Sequence, residues 1–395
     1  RFLGRPIRFD QVSAYVIALL CLVTAGLFYV SLNVPQGWSF YPLGLLILTL
    51  FTAAIINRHL GIIALIIEIV VLLSVFIIQG GRLGSIRAAL RFLVMMTMAV
   101  PLFLLAAWQI DQYRLNLDNA PFLSQVALLV GGGFSLWLGV APLHGWLSGI
   151  AAEAKSGIAA FVFITFPAVA TLILLHLLES SPWLADIPRA TEIMILAGLF
   201  TAVVGGGFAS VQRAFGPLMG YAALFDLGAS LIALGLRTEL GQTIVIFSIL
   251  VRASALVLIA ASSAALEFRA GGDVFQQVRG LAKSLPLPTL GLIAGGLTLA
   301  GTPFTAGFVA RWLLLQSLAS IDPRWPFLIL LGSLGVAVGY IRGLRSLIDP
   351  SPPRIAYPQQ WGLNLLISGL ILFCLGLGFF PQLILETVRE LARSI

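Results

Sequence analysis

Twelve apolar runs, separated by short polar connections, follow one another along the chain at residues 12–32, 42–56, 61–78, 90–108, 126–147, 158–178, 193–209, 217–236, 243–266, 286–318, 326–341 and 363–380. Most are about 18 to 25 residues long, the length a helix needs to cross the hydrocarbon core of a bilayer. None shows the roughly ten-residue alternation of apolar and polar positions that a membrane barrel strand requires. The pattern predicts an all-α polytopic membrane protein of about twelve transmembrane helices, forming a single membrane domain over 1–395. Two runs are interrupted. In the fifth, Ala141-Pro142-Leu143-His144-Gly145-Trp146 puts proline, histidine, glycine and tryptophan where an apolar helix would otherwise continue; in the tenth, Ala300-Gly301-Thr302-Pro303 runs on through Phe304 to Gly307. Proline has no N–H to donate and its ring clashes with the preceding turn. Both runs are therefore predicted to break at membrane depth, where irregular backbone is stable only when protein or a water-filled cavity surrounds it.

The two breaks occupy corresponding places. Glu68 precedes Pro142 by 74 residues and Asp226 precedes Pro303 by 77. Each half of the chain thus carries one acidic residue in an apolar run upstream of one broken run. Interrupted hydrophobic segments at matching positions point to inverted repeats around an ion or substrate path. Two five-helix repeats, at approximately 40–178 and 191–346 with flanking helices outside them, accommodate the pattern. Kinked helices in a large membrane bundle, with no path at all, would give the same spacing.

Composition narrows the classes of function. The 395 residues are 59% hydrophobic and 10% charged, with a mean hydropathy of +1.03, which excludes a water-soluble globule. The longest polar connection, at about 267–285, is too short for a folded domain. It holds no nucleotide-binding loop, HExxH element or acid–base cluster, so no catalytic, cofactor or metal site is expected. Net charge is +7, but the basic residues are scattered over short loops, as topology determinants are, and do not form a nucleic-acid surface. In the connecting loops, eleven Lys and Arg fall on the side opposite the termini and five on the same side. The positive-inside rule then puts both termini on the non-cytoplasmic face. Cys21 and Cys374 lie in apolar runs without metal-ligand spacing and are expected to be buried packing residues. The triplets Gly131-Gly132-Gly133 and Gly205-Gly206-Gly207 follow no strand, so close helix packing is expected of them and not phosphate binding. The chain begins at Arg1 with no signal-peptide pattern before its first run, so its start is expected to lie upstream.

Four charges fall inside predicted spans: Glu68, Asp226, Arg252 and Arg311. Leaving a charge at the bilayer centre costs roughly 2.5 to 3.5 kcal/mol on insertion scales, so these groups are expected to pair or to line a hydrated path. Asp226 is expected to face Arg311 or Arg252. His144, in the first break, and His176, near a helix end, read as satisfied polar residues as readily as proton carriers.

These residues also carry a resemblance. Pro142-Leu143-His144-Gly145-Trp146-Leu147, with Glu153-Ala154 after it, is similar to the first broken helix of the antiporter-like membrane subunits of respiratory complex I and of multisubunit cation/proton antiporters. Ile67-Glu68-Ile69-Val70 and Arg87-Ala88-Ala89-Leu90-Arg91-Phe92 resemble that family's buried-glutamate helix and the loop beyond it. Gly220-Tyr221-Ala222-Ala223-Leu224-Phe225-Asp226-Leu227-Gly228 resembles a further element, as do Ala300-Gly301-Thr302-Pro303 with Gly307, Phe308 and Arg311, and Gly378-Phe379-Phe380-Pro381-Gln382. The order is collinear over nearly the whole chain. The resemblance implies two inverted five-helix repeats, each with one broken helix, in an inner or energy-transducing membrane. It also implies lipid contact, neighbouring membrane subunits, and redox subunits in partner chains whose chemistry drives proton movement.

The departures from the family bear directly on function. The family's lysine five residues before the first-break proline is Trp137 here, and its lysine in the following helix falls at or near Pro167. Its histidine in the Gly220–Gly228 element is Asp226, and its Lys or Glu after the second break is Arg311. The leading expectation is a membrane subunit of an NADH:quinone oxidoreductase-like assembly, involved in or derived from proton translocation, with a degenerate proton channel. Beside it stand a subunit of a standalone cation/proton antiporter and a pump-inactive structural subunit of a redox complex.

Overall fold

A computed structural model of the chain describes residues 8–80, 86–113, 120–181, 183, 189–350 and 361–394. Sixteen α-helices account for most of them. The first five are α1 (Gln11–Asn33), α2 (Phe40–Ile56), α3 (Leu60–Gln79), α4 (Arg87–Thr97) and α5 (Ala99–Tyr113). Then come α6 (Ala120–Trp137), α7 (Gly145–Glu153), α8 (Ser156–Ser180), α9 (Ala190–Val211), α10 (Phe215–Gly235) and α11 (Glu239–Ala270). The last five are α12 (Pro286–Ala300), α13 (Ala306–Ala319), α14 (Trp325–Ile348), α15 (Trp361–Phe379) and α16 (Gln382–Arg393). Among the described residues nine helical stretches, with α4 and α5 taken as one, are long and apolar enough to cross a membrane, and shorter apolar helices supply the rest.

The polar connections sort to two opposite ends of the bundle, as alternating crossings require. At one end Gly157 donates to Gln36 Oε1 (3.1 Å), Lys155 Nζ to the Pro35 carbonyl (2.7 Å), Ala88 N to Glu153 Oε2 (3.0 Å) and Gly216 N to Asp273 Oδ2 (3.1 Å). At the other, here the terminal end, Arg393 Nε pairs with Glu239 Oε1 (2.6 Å), His59 Nε2 with Asp111 Oδ2 (3.2 Å), and Asp10 caps α1 by accepting from Ser13 N (2.7 Å). The core runs along α8, α10 and α11. The apolar stretch of α8 is wholly buried, against 22% for α15 at the periphery. A helix apolar on every side belongs inside the protein, and α8 is one.

Small residues let the central helices meet backbone to backbone, since lipid tails offer no hydrophobic drive between helices in a membrane. A Cβ at Gly206 on α9 would sit 2.2 Å from the Gly332 carbonyl oxygen on α14, and one at Gly205 would sit 2.5 Å from Phe225 N on α10. The expected close packing holds for these two and for Gly133, which abuts the Phe103 ring, but Gly131 and Gly207 face open space. A triplet spans 200° of a helix, so it cannot turn all three members to one neighbour.

Three further features differ from the sequence-based expectation. The fourth span is interrupted at Met98 between α4 and α5, because Pro101 has no N–H for the Thr97 carbonyl. Cys21, expected to be buried, is exposed on α1, whereas Cys374 is buried. The amphipathic helix α16 follows the last span; its apolar positions alternate with Glu386, Arg389, Glu390 and Arg393, so it forms no continuous apolar run.

The contact of Gly206 with Gly332 leaves no room for a side chain. Gly206→Leu is expected to push α9 from α14 and destabilise the fold by about 1–3 kcal/mol or more. Thermal unfolding in detergent checks this, with Gly207→Leu as the control expected to leave the midpoint in place.

Candidate functional site

Both broken helices arise from local chemistry. α12 ends at Ala300 because Gly301 takes the left-handed conformation (φ 75°) and caps the last turn. Pro303 follows, and Thr305 in extended conformation precedes the first turn of α13. The carbonyls freed by the break find partners: Leu297 O accepts from Thr302 N (3.1 Å) and Oγ1 (3.2 Å), and Ala300 O accepts from Ser333 Oγ on α14 (2.6 Å). A Cβ at Gly307 would lie 1.8 Å from the Thr298 oxygen, so only glycine lets α13 start against the end of α12. At the first break α6 stops at Trp137 and α7 starts at Gly145. Gly139 is left-handed (φ 64°), Ala141 N donates to Thr201 Oγ1 on α9 (3.1 Å), and Trp146 Nε1 donates to the Leu136 carbonyl (3.2 Å). Each break is thus closed by hydroxyl, indole or backbone groups, as hydrocarbon demands.

The second break delivers Arg311 to a buried carboxylate. Asp226 on α10, Arg252 on α11 and Arg311 on α13 are each under 5% exposed. Arg311 Nη2 donates to Asp226 Oδ1 (2.5 Å), and Arg252 Nε lies 3.1 Å from Asp226 Oδ2. Arg252 Nη2 donates to Ser230 Oγ (3.2 Å), and that hydroxyl donates to the Asp226 carbonyl (3.0 Å). The Arg311 guanidinium also sits 4.7 Å from the centre of the Phe225 ring, a cation–π contact. Arg252 Nη1 and Arg311 Nε have no hydrogen-bond partner among the described residues. The formal sum is one carboxylate against two guanidiniums, a net positive centre inside the bundle.

The first half has no such centre. Glu68 on α3 is half-buried; its Oε1 accepts from Thr97 Oγ1 at the α4–α5 interruption (2.7 Å), while Oε2 has no partner among the described residues. Trp137 is fully buried against Phe103, ring centres 4.2 Å apart, so aromatic carbon fills this place in the first half. Pro167 lies within the unbroken, buried α8. His144 opens α7, half-buried, its ring 6.2 Å from that of Tyr221 on α10; Trp146 is buried, while Pro142 and Pro303 are exposed. The structure brings Asp226, Arg252 and Arg311 together and leaves Glu68 apart from them. Sequence reasoning missed Ser230, Thr201, Ser333 and Thr97, which hold the site and the breaks; hydroxyls within apolar runs were the only signal.

A polytopic helical bundle with two broken helices and buried intramembrane charge defines a polytopic membrane protein of broken-helix architecture. Within that class, residues 57–339 match the NADH:quinone oxidoreductase/Mrp antiporter transmembrane family, and the chain belongs to it. It is 28% identical over 305 residues to formate hydrogenlyase subunit 3 of Escherichia coli (strain K12), covering 72% of this chain and 49% of that protein. It is 29% identical over 281 residues to NADH-quinone oxidoreductase subunit N of Ectopseudomonas mendocina (strain ymp), covering 67% and 55%. The chain thus spans about half the length of these curated relatives. The fold matches a chain of the Mrp complex from Dietzia sp. DQ12-45-1b with a TM-score of 0.88, covering 98% of this chain and 84% of that one at 18% identity. This is an antiporter-like subunit.

Removing one partner of a buried ion pair strands the others. Asp226→Leu is expected to destabilise the fold by about 3–5 kcal/mol, because two buried guanidiniums lose their counter-ion. Adding Arg252→Met and Arg311→Met to Asp226→Leu is expected to recover most of that loss, since an apolar cluster needs no pairing. Unfolding curves of the single and triple variants decide; equal losses would mean packing, not charge, sets the cost.

Proposed function

We propose that the chain serves as the antiporter-like membrane subunit of a redox-driven complex of NADH:quinone oxidoreductase type, and that its own proton channel is degenerate. The observation that carries this reading is the Asp226 triad. A proton path needs groups that gain and lose protons, and a buried lysine does so because desolvation and neighbours shift it readily. Arginine stays charged under all protein conditions. Here both basic members of the centre are arginines, and the family's first-half lysine positions are Trp137 and Pro167. What such a centre retains is a fixed charge joining α10 and α11 to the second half of the broken helix, suited to passing electrostatic or conformational change to a neighbour. The element order α2–α8 and α9–α14 supports repeats at about 40–178 and 191–346. The excess of basic residues in the connecting loops at the end opposite the termini supports cytoplasmic loops there and non-cytoplasmic termini; Arg82, Arg114 and Arg354 of that tally lie outside the described residues.

The fold match to an Mrp complex favours a second reading, a subunit of a cation/proton antiporter. The names of the sequence relatives, a formate hydrogenlyase and a quinone oxidoreductase, favour the redox assembly. Co-purification separates the two: redox chains with iron–sulfur clusters mark the first, small hydrophobic chains alone the second.

Proton translocation per electron in the reconstituted assembly tests the degenerate channel. Glu68→Gln and Asp226→Asn are each expected to leave it unchanged in complexes that remain intact. Abolition of pumping by either one would replace this reading with a carboxylate-only path.

A further inference from the structure

α6 and α9 both start at the terminal end of the bundle, and at depth Ala141 N donates to Thr201 Oγ1 (3.1 Å), tying the chain after α6 to α9. On the terminal side of that bond lies a cleft. It holds a cavity of about 410 Å³, with Phe134 of α6, Leu174 of α8, Met194 of α9 and Leu231 of α10 in its lining. The rim is open: Leu128 is 77% exposed and Ile193 62%, and a Cβ at Gly131 would meet nothing within 4 Å. Arg237 is the one charged residue in the described lining. A second cavity, of about 210 Å³, adjoins the first through shared Leu178 and Arg237 and is lined also by Glu179, Thr238 and Gln242. Arg237 and Thr238 make the α10–α11 corner and Glu179 lies in the last turn of α8, so this polar space sits at the terminal end. Cleft and polar space together form an amphipathic site.

Size selects what fills the apolar part. Along α6 the lining runs from Ser124 to Leu138, roughly 20 Å of helix, against about 15 Å for half of the hydrocarbon core. Over that length the cavity has a mean section of roughly 20 Å². A helix about 10 Å across needs some four times as much. A single hydrocarbon chain fits, and water does not settle in so apolar a space.

Charge selects the headgroup. The polar space pairs one guanidinium with one carboxyl, so a wholly anionic headgroup would face Glu179 as well as Arg237. A phosphate bearing an ammonium finds a complement for each. The guanidinium fork suits phosphate oxygens. Glu179 Oε1 accepts from Gln242 Nε2 (2.9 Å), and the carboxyl keeps acceptor capacity for an ammonium N–H in either protonation state. A quaternary ammonium has no N–H to give.

We propose that the cleft binds one phospholipid with a primary-ammonium headgroup, its phosphate on Arg237, its ammonium on Glu179 and one acyl chain between α6 and α9. The second chain stays in the bilayer. The bound lipid packs against α6, α8, α9 and α10 at once, on the terminal side of the Ala141–Thr201 bond.

Photo-crosslinking of the purified chain in phosphatidylcholine vesicles tests this, using a trace of phosphatidylethanolamine with a diazirine on one acyl chain. Peptides covering 124–138 and 190–197 are expected to label about fivefold more with this probe than with the matching choline probe, the worth of one net hydrogen bond. The 361–379 peptide of the peripheral α15 should label alike with both. Gly131→Trp fills the cleft and should remove the excess. Arg237→Asn, whose asparagine accepts the left-handed backbone at this position (φ 50°), should lower labelling by either probe about tenfold. Glu179→Leu should keep the labelling and lose the preference. Equal labelling by the two probes in wild type, or an excess that survives Gly131→Trp, overturns the proposal. Should Gly131→Trp fail to fold, Ala197→Phe on the facing wall takes its place, and the wild-type comparison of probes decides without either.

Discussion

In hydrocarbon, every backbone N–H and C=O and every charge must find its partner within the protein, because no water is there to take the place of one. That constraint shapes this molecule more than any other. Most of the chain meets it by forming long helices. At the two breaks it is met by specific groups: Thr201 and Trp146 at the first, and Thr302, Ser333 and the left-handed Gly301 at the second. The breaks have a purpose in this economy of partners. They let α13 start against the end of α12, which points Arg311 inward to Asp226.

The two halves use the same architecture for unlike chemistry. The second encloses a carboxylate and two guanidiniums in a shared network with Ser230. The first has aromatic carbon at Trp137 and a half-buried Glu68 that meets only a threonine hydroxyl among the described residues. A buried pair with three members and unfilled donors is weak evidence for stability, since desolvating the ions opposes their attraction. Its retention inside a packed bundle is better understood as holding α10, α11 and α13 in one arrangement.

The titratable residues outside that centre lie mainly at the ends of the bundle, where helix caps and corners meet. Asp10, Arg58 and His176 join α1, the α2–α3 corner and α8 through side chains, beside a backbone hydrogen bond from Arg8 N to the Ile56 carbonyl (3.1 Å). Such junctions open at lower cost than a core made of continuous buried helices. The molecule therefore combines a buried centre, built from α8, α10 and α11, with polar corners at the ends of the bundle.

Much of the fold was legible in the sequence because bilayer thickness imposes a length on every span, and run length is a one-dimensional property. The twelve runs follow from it, and the breaks at Pro142 and Pro303 and the four charges were legible as the residue types that interrupt those runs. What run length does not carry, the tertiary structure decided. Amphipathic α16 has no continuous run, and Cys21 and Gly131 sit on faces that only packing assigns. The same holds for pairing. Asp226 is 85 residues from Arg311 and 26 from Arg252, and both guanidiniums converge on it because the second break and the α10–α11 packing bring them there. Glu68, equally charged and correspondingly placed in its own half, meets a threonine hydroxyl and no guanidinium among the described residues. Charge content is written along the chain, but neutralisation depends on distances of a few ångströms that only the folded helices set.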